Sequence, residues 1–129
     1  MAKDWKWVSD TAAIAIHAEQ LVEHGGGDGI RDAGALESAL ARPRNLARYD
    51  EPDAARLAAA HAYGIARNHP FVDGNKRTAA VVSATFLLIN GYELNATDAE
   101  LVVAFIALAA GELSEEELAG WFRERIATD

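Results

Sequence analysis

HPFVDGNKRTAAVVSATFLLIN, residues 69–90, falls into two parts whose junction sets the fold. The second part, from Asn75 to about Asn90, is apolar on nearly every side, the mark of a helix buried inside a bundle. The first part, HPFVDGNKR at 69–77, places a histidine, a carboxylate, a glycine-asparagine pair and two cations directly ahead of it. Pro70 pushes the preceding residue out of the right-handed helical region and cannot continue a helix interior. One helix therefore ends at Asn68 and another begins near Gly74-Asn75. The first turn of the second helix carries unpaired backbone N–H groups and the positive end of a helix dipole, an anion site suited to a nucleotide phosphate.

The side chains around that turn supply matching chemistry. Gly74 allows close approach of the backbone to an oxyanion, with Asn75 next to it, and Lys76 and Arg77 add fixed positive charge. Asp73 is a hard oxygen ligand able to hold Mg²⁺ against the same phosphates. His69 is the candidate general base, because an imidazole titrates close to neutral pH. Phe71 is expected to anchor the loop in the core. Taken singly these residues have ordinary readings: a histidine before proline closes a helix, Asp-Gly-Asn makes a turn, and Lys-Arg forms a solvated face. Together they point to a ligand, since two cations in a first helical turn oppose the dipole and a bound anion resolves the conflict.

Outward from this stretch the chain reads as helical almost throughout. Ser9 caps a helix reaching about His24, closed by Gly25-Gly26. Residues 25–29, GGGDG, form a flexible turn, and Asp32 caps a short helix with Leu36 and Leu40 on one face, stopped by Pro43. Residues 43–53, PRNLARYDEPD, lack a sustained period and are expected to be a loop, with room for a short hairpin. Pro52 opens the alanine-rich helix 53–67. Thr97 with Glu100, and Ser114 with Glu117, are capping boxes that start two further helices separated by Gly111. The expected fold is all-α, one domain over residues 1–129, built around the helix at 75–90.

Composition limits the function classes. The net charge is −8. Residues 31–77 hold eight arginines and lysines against six carboxylates, a local balance of +2, which leaves −10 elsewhere. An acidic remainder argues against direct nucleic-acid binding, and the local cations sit where the phosphate site is expected. Arg56 is read as solvating a helix face. The chain has no cysteine, so neither disulfides nor thiolate metal sites hold it together. The uncharged stretch Thr78 to Tyr92 falls short of the ~20 residues that span a bilayer, and MAKDWKW lacks signal-peptide features. A cytoplasmic protein without a membrane partner is expected.

The motif resembles the Fic/Doc family. The Fic signature HPFx(D/E)GNGRxxR is matched at His69, Pro70, Phe71, Asp73, Gly74, Asn75 and Arg77. Lys76 stands where AMP-transferring members have glycine, and Ala80 where they have their last arginine. The Doc (death-on-curing) toxin branch of Phd/Doc toxin–antitoxin systems shares both departures. HAEQLVEHGG at 17–26, GIRDAGALESALARP at 29–43 and NGYEL at 90–94 also look like Doc segments.

The resemblance implies a Fic/Doc helical bundle and assigns 43–53 as a flap that pairs with the target protein. It implies a toxin kinase that uses ATP or another nucleoside triphosphate with Mg²⁺, transferring the terminal phosphoryl group to a hydroxyl of elongation factor Tu and arresting translation. An AMP transferase is the alternative, and a non-catalytic nucleotide- or partner-binding module a further one. The inhibitory (S/T)xxxE(G/N) motif of self-restrained Fic proteins is missing, since Leu118 follows Ser114 and Leu101 follows Thr97 at the glutamate position. Inhibition is therefore expected from a Phd-like antitoxin. Arg31, Arg42, Arg44 and Arg48 are the expected contacts to antitoxin or target.

Overall fold

A computed structural model describes residues 4–128. Met1–Lys3, which open the MAKDWKW stretch, and Asp129 lie outside the described residues. Within the described residues the elements are α1 Asp10–His24, α2 Ala33–Tyr49, α3 Ala54–Asn68, α4 Asn75–Ile89, β1 Tyr92–Leu94, α5 Asp98–Ala110, α6 Glu115–Arg123 and β2 Ile126–Thr128.

Local signals start most of the helices. Ser9 accepts from the Ala12 N–H at 3.1 Å and Asp32 from the Ala35 N–H at 3.0 Å, each satisfying a donor that the first helical turn leaves unpaired. Both capping boxes form, Thr97 with Glu100 and Ser114 with Glu117. Asp53, one residue after Pro52, caps α3 through the Arg56 N–H at 3.0 Å.

The most deeply buried helix is α3 rather than α4. Eleven of its fifteen residues are buried, against seven of fifteen in α4. Alanines are the cause: Ala54, Ala55, Ala58, Ala59, Ala60, Ala62 and Ala66 are all buried, and their short side chains let α2, α4, α5 and α6 gather around one axis. At Gly64 the approach of α2 is closest. A Cβ there would lie 2.9 Å from the Ala39 Cα and 3.1 Å from its carbonyl oxygen, so only glycine allows this crossing.

Two expectations about residues 43–53 are corrected. Pro43 does not stop α2, which continues through it to Tyr49. Leu36, Ala39, Leu40 and Pro43 are the buried residues of α2, spaced as one helical face, and burial of Pro43 on that face outweighs its missing hydrogen bond. The hairpin flap is therefore absent as well. Residues 44–49 are helical, and only 50–53 link α2 to α3.

The strands were also not expected. β1 and β2 pair antiparallel, Tyr92 opposite Thr128 and Leu94 opposite Ile126. They fasten the end of α4 to the end of α6. Ahead of α1, Trp7 stacks on Phe86 at 5.7 Å. The Asn90 side chain accepts from the Lys6 N–H and donates to the Lys6 carbonyl, both at 2.9 Å.

Candidate active site

The loop between α3 and α4 is held by hydrogen bonds from three directions. Its first residue, His69, ends α3 in the left-handed region, φ 48° and ψ 57°, a conformation that disfavours any residue with a Cβ. Next, Pro70 offers its carbonyl to the N–H groups of Arg31 at 2.8 Å and Asp32 at 3.0 Å. Val72 donates its N–H to Gly29 at 3.1 Å, and Ile30 bridges to Phe71 in antiparallel sense. The stretch 29–32 thus runs beside the motif as a short paired edge.

Beneath the loop is His17 of α1. Its ring stacks on the fully buried Phe71 with centroids 3.9 Å apart and planes 7° apart. Its Nε2–H donates to the Asp73 carbonyl at 2.8 Å, which fixes the tautomer, since a carbonyl only accepts. Phe71 is the anchor expected of it, and His17 is the half of that anchor which sequence reasoning missed. A histidine within HAEQLVEHGG carries no signal that it will meet residues more than fifty positions away.

Asp73 caps its own turn. Oδ1 accepts from the Gly74 N–H at 2.8 Å and Oδ2 from the Gly27 N–H at 3.4 Å. These two bonds, the Gly74 bond first, hold its carboxyl below the usual carboxylate range, with Arg77 and His17 adding to the shift. The GGGDG stretch is consequently more than a turn. A Cβ at Gly26 would come within 2.8 Å of Asp73 Oδ2, so glycine there makes room for the carboxylate. An exposed, ionised carboxylate at the mouth of an anion site is the donor that Mg²⁺ bridging to nucleotide phosphates requires. Asp73 fits that task.

Asn75 is placed otherwise than expected. Its side chain is buried and holds the Phe71 backbone, accepting from the N–H at 3.0 Å and donating to the carbonyl at 2.9 Å. What it leaves at the helix start is its main-chain N–H. α4 begins at Gly74 in the left-handed region and has no side-chain cap, whereas α1, α2, α3, α5 and α6 each have one. Among the described residues, the side chains of Lys76 and Arg77 make no hydrogen bond or ion pair. The free donors and two exposed cations sit together at the dipole's positive end.

These groups line one cleft of about 480 Å³. Its polar wall is His69, Asp73, Gly74, Asn75, Lys76 and Arg77, with Ala80 behind, and its apolar wall is Leu101, Val102, Phe105 and Ile106 of α5 together with Val72. Val102 and Ile106 are more than half exposed. Sequence reasoning missed this wall, although the run LVVAFIALAA at 101–110 carries more apolar residues than one buried face needs. The arrangement brings an exposed imidazole, an uncapped helix start flanked by two cations and an apolar surface into a single opening.

Of the four arginines expected to meet antitoxin or target, Arg31, Arg42 and Arg44 also make contacts within the chain. Arg31 donates to the carbonyls of Asn68 and His69. Arg42 pairs with Glu115 and lies over the Tyr63 ring, and Arg44 lies over Trp7. Arg48 is exposed. Arg56 pairs with Asp50 at 2.8 Å on the surface.

Comparison with known proteins gives a consistent picture. The model of the Fic/DOC family matches residues 7–87, from ahead of α1 to near the end of α4. Protein kinase doc of Escherichia phage P1 is 32% identical over 117 residues, covering 90% of this chain and 92% of its own length. Toxin Doc of Mycolicibacterium smegmatis is 46% identical over 78 residues, covering 58% of this chain and 59% of its own length.

Proposed function

The chain belongs to the Fic/Doc family, and we propose that it is a Doc-type toxin kinase that transfers the terminal phosphoryl group of a nucleoside triphosphate to a hydroxyl of a target protein. One observation carries this reading. The uncapped start of α4, with the unpaired Lys76 and Arg77, opens into the same cleft as the exposed imidazole of His69. A nucleotide phosphate on one side and a base on the other are what phosphoryl transfer needs. The names of the two relatives, a kinase and a toxin, support it.

In this mechanism a nitrogen of His69 takes the proton of a target Ser, Thr or Tyr hydroxyl. The hydroxyl oxygen forms a bond to the γ-phosphorus as the bond from that phosphorus to the bridging oxygen breaks, and the nucleoside diphosphate leaves. Lys76, Arg77 and the free N–H groups of α4 stabilise the charge on the phosphate oxygens. Mg²⁺, held at Asp73, would neutralise charge on the same phosphates. Lys76 in place of glycine, and Ala80 in place of arginine, favour this reaction over AMP transfer. Elongation factor Tu is the first target to test, with arrest of translation as the outcome in the cell.

A Phd-like antitoxin is the proposed inhibitor. The exposed apolar residues Val72, Val102 and Ile106, which line the cleft with Lys76 and Arg77, and the exposed Val103 of α5 suit an amphipathic acidic segment that folds as it docks.

The decisive experiment incubates the protein and Mg²⁺ with a cell extract and ATP labelled at either the α or the γ phosphate. A protein band labelled from γ alone is the expected result. A band labelled from α would establish the AMP transferase instead, and the absence of any band would favour a binding module.

A further inference from the structure

We infer that Arg31 is the positioning residue of the general base. This rests on the reading of His69 as that base. Arg31 takes up three successive carbonyls where α3 runs into the motif: Nε donates to His69 at 2.6 Å, Nη2 to Asn68 at 2.8 Å, and its backbone N–H to Pro70 at 2.8 Å. Asn68 and His69 are the end of α3, where carbonyls have no onward helical partner. Among the described residues no backbone N–H donates to either of those two carbonyls.

The need for such a hold is local. His69 is the sole non-glycine residue with positive φ among the described residues, and it precedes a proline. Its preferred conformations turn the carbonyl elsewhere and swing the imidazole away from the cleft. A planar guanidinium presenting two parallel N–H groups fixes two adjacent carbonyls at once, and with them the ψ of Asn68 and of His69. Its charge also lies at the negative end of the α3 dipole. Arg31 is itself fixed from behind, because Ile30 bridges to Phe71 and Asp32 caps α2. The guanidinium is exposed and has no ion pair among the described residues. Its role is therefore directed at the loop.

The test compares wild type, Arg31→Ala and Arg31→Lys in γ-phosphoryl transfer. Arg31→Ala should lower kcat on the order of ten- to a hundredfold with the nucleotide KM within about twofold, as expected for a displaced base over an intact phosphate site. Arg31→Lys keeps one donor direction and should fall between. Methylguanidinium added to Arg31→Ala should restore part of the rate and leave wild type unchanged. In NMR spectra the His69 Cα and carbonyl shifts should leave their left-handed values in Arg31→Ala. Wild-type kcat in either variant, or a loss of rate matched by loss of nucleotide affinity with His69 shifts unchanged, would overturn the inference. If Arg31→Ala does not fold, Arg31→Lys decides by the same two criteria. If wild type transfers no phosphoryl group, the proposed function fails, while the His69 shifts still decide whether Arg31 sets this backbone.

Discussion

The carboxamide of Asn75 closes on the backbone of Phe71, accepting its N–H at 3.0 Å and donating to its carbonyl at 2.9 Å. The turn that carries Asp73 and Gly74 is thereby tied at both ends, so that Asp73 and the first N–H groups of α4 keep a fixed relation to one another. Asn75→Ala leaves two buried main-chain groups without partners and is expected to lower stability by roughly 2–4 kcal/mol. Asn75→Asp keeps the acceptor and loses the donor, and should lie between Asn75→Ala and wild type. Urea unfolding midpoints of the three proteins check the order.

His69 is expected to separate activity from stability. Its imidazole is exposed and makes no hydrogen bond among the described residues, so His69→Ala should abolish transfer while the melting temperature stays close to wild type. His69→Gly should also be inactive, yet more stable by up to about 1 kcal/mol, because glycine occupies the left-handed region without a Cβ penalty. Retained transfer in folded, nucleotide-binding His69→Ala would remove the base assignment.

Lys76 is the residue expected to set which phosphorus is attacked. Lys76→Gly should reduce γ-phosphoryl transfer at least tenfold, on the order of the loss of one charge-assisted phosphate contact. With Ala80→Arg added, the variant regains the Fic pattern and is expected to label the target from α-labelled ATP. Unchanged γ transfer in the single variant would assign the choice of phosphorus to another residue.

Acid sensitivity should trace to His61. The ring is buried against Phe86, and its Nδ1–H donates to the Leu57 carbonyl at 2.8 Å. Burial pushes its pKa from 6.5 down to about 4, with a smaller contribution from Arg44. Between those values the unfolded chain takes a proton that the folded chain refuses. Stability is thus fully present above pH 6.5 and falls by about 1.4 kcal/mol per unit as pH drops toward 4. The carboxylates with lowered pKa, such as Asp53 and Glu100, lose their contribution only below the usual carboxylate range. Denaturant unfolding of wild type at pH 7 and pH 5 should therefore differ by about 2 kcal/mol, and His61→Phe should flatten most of that difference.

What the sequence made legible were features that residues settle with near neighbours. Ser9, Asp32, Thr97 and Ser114 cap helices because the partner N–H lies three residues on. His69, Asp73, Gly74, Lys76 and Arg77 come together because they lie close in sequence across the junction of α3 and α4. Features decided by distant contacts were not legible. Pro43 remains helical because a buried face extends through it, and β1 and β2 are too short for any alternation to register. His17 and Arg31 brace the motif from α1 and from the edge at 29–32. Their roles depend on long-range packing that no local pattern encodes.

The last prediction concerns control in the cell. With Glu missing from the inhibitory position after Ser114 and Thr97, the chain carries no (S/T)xxxE(G/N) brake, and expression alone should arrest growth. Expression of His69→Ala should not. Co-expression of a Phd-like antitoxin should restore growth, and the exposed α5 stripe provides a way to separate docking from chemistry. Val103 is 69% exposed and outside the cleft lining, so under the proposed docking it would give apolar area to the antitoxin away from the phosphate site. Val103→Glu should leave transfer within about twofold of wild type, since the substitution is on the surface away from the reacting groups. It should weaken antitoxin binding by ten- to a hundredfold, on the order of one buried apolar contact replaced by a carboxylate facing an acidic segment. Growth assays with and without the antitoxin, paired with calorimetry, check both halves. Full rescue of Val103→Glu at unchanged affinity would move the docking surface elsewhere on the molecule.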